Sequence, residues 1–63
     1  MLEEKLIPCV VYRNRLGRVM YVDKVTWVIW EKAHGLDGMT FLAHVLTPQE
    51  AIRFCTLAEN TGD

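Results

Sequence analysis

Two cysteines (Cys9, Cys55), two histidines (His34, His44) and three closely spaced arginines (Arg13, Arg15, Arg18) have the widest chemical range in this chain. Thiolates and imidazoles hold zinc when several converge, and such sites show in sequence as short-spaced pairs. Cys9, His34, His44 and Cys55 contain no such pair, so no metal site is expected. A disulfide between the two cysteines would staple both ends of a small fold. The opening Met1-Leu2-Glu3-Glu4-Lys5, however, starts with acids where a secretory signal starts basic and then turns apolar. Reduced, buried thiols in a cytoplasmic protein are therefore the expectation. His34 shares a segment with Asp37, but no Ser/His/Asp or Cys/His arrangement, phosphate-cradling glycine loop or carboxylate pair accompanies it. No catalytic residue and no cofactor is expected, and 63 residues leave little scaffold for a substrate pocket.

Recognition is the chemistry that remains. Arg13, Arg15 and Arg18 surround a turn, where guanidinium groups can contact phosphates or an acidic protein surface. The net charge is only -1, which argues against a general nucleic-acid coat or a polybasic membrane binder. Lys5, Arg13, Arg15 and Arg18 face Glu3, Glu4 and Asp23 in the first 23 residues, while residues 33–63 oppose Arg53 with Asp37, Glu50, Glu59 and Asp63. The chain is a mild dipole, and nucleic-acid binding by the arginine hairpin is the alternative reading. Trp27, Trp30, Tyr21 and Phe41 are the candidate protein-binding anchors, being of types that dominate binding hot spots.

These residues need elements to position them. At 51% hydrophobic and 24% charged, the chain is not disordered, and its length sets a single domain. No apolar run reaches the ~20 residues that a membrane helix needs. Residues 6–13 are rich in strand formers, 14–17 carry the Asn and Gly of a turn, and 18–22 read as the partner strand. Over 25–32 the signals conflict. Asp23 and Gly35 are good helix ends, yet at about 100° per residue Val25, Trp27, Val28, Ile29, Trp30 and Ala33 point all round the axis. A helix without a polar face must be buried on every side, and a chain this small has too little mass for that. A strand is expected over 25–32.

Residues 39–46 read as a further strand with Met39, Phe41, Ala43 and Val45 on one face; a helix from Asp37 is the alternative. Thr47-Pro48-Gln49-Glu50 is a capping box with proline at the first helical position. The helix it opens carries an apolar stripe of Ala51, Ile52, Phe54, Cys55 and Ala58, and Asn60-Thr61-Gly62 ends it.

The fold expected is α+β: a small antiparallel meander of three or four strands with a C-terminal amphipathic helix on one face. Alternation makes both sheet faces apolar, and one helix covers one of them. Unless residues 1–5 wrap the remainder, the second face must meet a partner. That makes the chain a small regulatory, inhibitor-like protein, a homodimer or the ligand of a larger protein; its size suggests a phage or mobile-element accessory protein.

Gly17-Arg18-Val19-Met20-Tyr21-Val22-Asp23, followed by Thr26 and Trp30-Glu31, resembles the second and third strands of a WW domain, over about a quarter of the chain. That family is a three-stranded meander binding proline-rich peptides, and the resemblance implies Tyr21 and Trp30 in a peptide groove. The first strand lacks a tryptophan, no proline closes the motif, and a further strand and helix follow. The likeness is therefore read as shared hairpin chemistry without membership.

Overall fold

A computed structural model describes residues 6–60. The Asn60-Thr61-Gly62 stop, apart from Asn60, and any wrapping by residues 1–5 lie outside the described residues. The elements in order are β1 (Cys9–Arg13), β2 (Val19–Asp23), α1 (Lys24–His34), β3 (Thr40–Val45) and α2 (Pro48–Asn60).

The β1–β2 hairpin forms where its turn residues place it. Asn14 Oδ1 accepts the backbone N–H groups of Leu16 and Arg18, each at 2.9 Å, and Gly17 takes φ 84°. That left-handed angle favours glycine because any Cβ would be strained there. The pairs Val10↔Val22 and Val11↔Tyr21 put Val10, Tyr12, Met20 and Val22 on one face, and Cys9, Val11, Val19 and Tyr21 on the other, as alternation requires.

The segment 25–32 is a helix and not the expected strand. Asp23 accepts from Thr26 N at 3.0 Å and from Thr26 Oγ1 at 2.7 Å, and the Gly35 N–H closes the other end on Trp30 O and Glu31 O. The end signals outweighed the periodicity, and topology explains why. The sheet order is β2-β1-β3 with both neighbours antiparallel to β1, so β2 and β3 run parallel to each other. Parallel strands need a crossover, and α1 supplies it.

The sheet is thus three-stranded and antiparallel, with a helix on each face. The α1 face buries Val10, Tyr12 and Trp27, with Val22, Trp30, Leu36 and Met39 packed against them. On the opposite face Cys9, Val11, Val19 and Ala51 form a second cluster with Leu42, Ala43, Val45, Cys55 and Ala58. The second sheet face, expected to be left for a partner, is covered by α1.

Two packing details depart from the sequence pattern. The register jumps between Val11↔Ala43 and Tyr12↔Phe41, leaving Leu42 as an extra residue in β3. Phe41 therefore lies on the α1 side and Ala43 on the α2 side, although simple alternation had put them together. In α2 half of the capping box forms: Thr47 Oγ1 accepts from Glu50 N at 3.2 Å, while Glu50 Oε1 accepts from the N–H of Leu46 at 3.4 Å, one residue before the Thr47 N–H that the reciprocal bond would use. The stripe facing the sheet, however, is the small set Ala51, Cys55 and Ala58, while Ile52 and Phe54 are exposed on its flanks.

Candidate functional site

Three of the four aromatic anchors, Trp27, Trp30 and Phe41, gather on the α1 side of the sheet, and Tyr21 lies on the other side. Trp27 is 9% exposed and its ring centroid lies 5.2 Å from that of Tyr12 and 6.5 Å from that of Phe41. Trp30, half-buried, meets Tyr12 edge-on at 6.0 Å. Helical spacing puts both tryptophans on the sheet-facing side of α1; the strand reading had sent them to opposite sides. Tyr21 is exposed on the α2 side of one edge strand, and Phe41 on the α1 side of the other. Tyr21 and Trp30 thus occupy opposite faces, and the groove implied by the WW resemblance is not formed.

Two of the hairpin arginines are spent on the chain's own carbonyls. Arg13 Nη1 donates to Gly17 O at 3.0 Å, and Arg15 Nε donates to Asp37 O at 2.9 Å. The Arg15 side chain crosses directly over Gly38, where a Cβ would come within 2.5 Å of Arg15 Cγ. Glycine at 38 thus lets the first turn dock on the loop before β3. Arg18 is exposed beside β2.

The thiols are not poised to react. Cys9 and Cys55 are both free and both belong to the α2-side cluster. Burial first, and then the Asp23 carboxylate, pushes the Cys9 thiol up; burial and then Glu59 does the same for Cys55. Each shift disfavours the thiolate, the nucleophilic form. Tyr12 is likewise raised, chiefly by burial. His34 Nδ1 lies 3.2 Å from Gly35 O, and His44 is exposed on β3. Among the described residues no group of three or more His, Cys, Asp or Glu is placed to hold a metal ion. No helix among them is long and apolar enough to cross a membrane.

Two features escaped the sequence reading. On the outer side of α1, about half a turn from Trp27, Val25 is 68% exposed and Ile29 56% exposed, with exposed Ala33 next in line. Their signal was the missing polar face of residues 25–33. The other feature is the outer edge of β2, which pairs with no strand among the described residues. Asn14 N bonds Arg18 O and Lys24 N bonds Pro8 O, so alternation turns the backbone groups of Val19, Tyr21 and Asp23 away from β1. A shallow groove lined by Arg18, Val19, Met20 and Tyr21 runs along this edge, and Glu59 Oε2 accepts the outward Val19 N–H at 3.1 Å. No local pattern announces a bond across 40 positions.

Compared with known proteins, the chain matches no family model, no curated protein and no solved structure.

Proposed function

We propose that this protein acts by binding protein surfaces, beginning with a second copy of itself, through the outer ridge of α1. The observation that carries the reading is the exposure of Val25 and Ile29 on a helix whose other side is already fully used. A helix lying on a sheet ordinarily turns a polar back to water. Val25, Ile29 and Ala33 instead form an i, i+4, i+8 ridge, the spacing that packs into the groove of a like helix. A two-fold pairing about Ile29 sets Val25 of each copy against the small Ala33 of the other. Apolar area buried there contributes about 25 cal/mol per Å² against the entropy of association.

The binding surface is then the back of α1 and not the sheet face beneath it. The anchors become Val25 and Ile29, with Trp27 beneath them as support. Regulation or inhibition of a larger protein would use the same ridge in a heteromeric contact.

Sedimentation at tens of micromolar tests the reading. The wild-type chain is expected to dimerise, and Ile29→Lys to be monomeric with its thermal unfolding little changed, since the site is exposed in the monomer. A wild-type chain that sediments as a monomer, indistinguishable from Ile29→Lys, overturns it. The alternative, phosphate binding by the hairpin, would show as nucleic-acid association falling steeply with added salt.

A further inference from the structure

We propose that α1 is a helix-to-strand switch: released from the sheet, residues 24–31 pair as antiparallel strands with the same segment of other copies and grow into fibres. The local chemistry of the segment favours that state. Val25-Thr26-Trp27-Val28-Ile29-Trp30 is an unbroken run of β-branched and aromatic residues with no charge, glycine or proline. Such six-residue runs are the ones that stack into cross-β assemblies. As a helix the segment is poorly supported, because α1 has 11 residues and even good helix formers are marginal at that length on their own.

What holds α1 helical is its two ends and one ring. Asp23 accepts from the Thr26 N–H and hydroxyl, and the Gly35 N–H reaches the carbonyls of Trp30 and Glu31. No acidic residue supports the first turn, and Lys24 sets a positive charge there against the helix dipole. Trp27 is the residue of α1 that packing buries, while Val25 and Ile29 stay exposed. Loss of the Asp23 cap therefore frees the start of a segment that has little else to keep it wound.

The partner is a second copy because the segment is complementary to itself. The antiparallel register that sets Trp27 opposite Val28 also sets Val25 opposite Trp30, Thr26 opposite Ile29, and Lys24 opposite Glu31. Aromatic against β-branched and cation against anion are the favourable cross-strand pairs. A parallel in-register stack would instead place Lys24 on Lys24 and Glu31 on Glu31. The ridge pairing proposed above uses the wound helix, so neither reading depends on the other: sedimentation of the native chain reads that one, and fibre growth reads this one.

Thioflavin T fluorescence of the agitated full-length chain at neutral pH tests the switch. Asp23→Ala is expected to form fibres about fivefold sooner than wild type, the change in helix opening that loss of one N-cap brings. Val28→Pro opens α1 further but cannot join a strand ladder, and it is expected to form no fibres. Protease digestion of the Asp23→Ala fibres, read by mass spectrometry, is expected to leave a protected core containing residues 24–31. Three results overturn the proposal: an Asp23→Ala chain that forms no fibres, a Val28→Pro chain that forms them, or a protected core that excludes residues 24–31.

Discussion

Under α1 the sheet is covered by bulk. Trp27 and Trp30 lay large rings on Tyr12, with centroids 5.2 and 6.0 Å away, and Leu36 and Met39 fill the margins. Under α2 it is covered by proximity: Ala51, Cys55 and Ala58 let the helix come close to Cys9, Val11 and Val19. The difference sets how each face fails. A bulky face is lost when volume is removed, because aromatic side chains carry much of the burial. A close-packed face is lost when volume is added, because nothing at the contact can retreat.

The largest expected effect breaks the α1 side. Trp27→Ala removes the central ring and should cost about 3–5 kcal/mol, close to all the stability a domain this small commands. Circular dichroism and urea titration should then show a largely unfolded chain. A cooperative transition near the wild-type midpoint would mean that Trp27 is not the centre of that core.

The next effect tests the α2 side in the opposite sense. Ala51 is 0% exposed, so Ala51→Leu forces added methylenes between helix and sheet and should cost about 1–3 kcal/mol. An unchanged denaturation midpoint would show that α2 rides further from the sheet than its small stripe implies.

The smallest effect concerns the cap that ties α1 to the end of β2. Hydrogen bonds from the Thr26 hydroxyl and backbone hold the Asp23 carboxyl below its ordinary value. A group depressed in the folded state contributes stability above its unfolded pKa of about 4 and loses it as pH falls through the folded value. Unfolding temperature measured from pH 6 down to pH 2 should therefore fall less steeply in Asp23→Asn than in wild type. Parallel pH profiles for the two chains would remove Asp23 as a source of acid sensitivity.

Much of this molecule was legible in local chemistry. The turn at Asn14 and Gly17, the faces of β1 and β2 and the start of α2 at Thr47 all follow from contacts within a few residues. Those contacts join residues close together in the sequence, so residue type and spacing suffice to name them. The candidate surface was only half legible. An apolar surplus was evident, but assigning it to a sheet face required knowing how many helices the chain makes.

Tertiary structure decided the rest, and residues 25–33 show why. Their apolar residues satisfy a strand as well as a helix, and the caps at Asp23 and Gly35 weigh little until a crossover is needed. That need arises when β3 pairs with β1 and so runs parallel to β2, a pairing between distant segments. The Leu42 bulge and the bond from Val19 to Glu59 are products of the same kind. Each depends on where two distant segments come to lie, and no spacing along the chain records that. By itself the sequence determined the hairpin, the capped C-terminal helix and an excess of apolar side chains; the packed fold decided that α1 lies on the second sheet face and leaves Val25 and Ile29 exposed on its back.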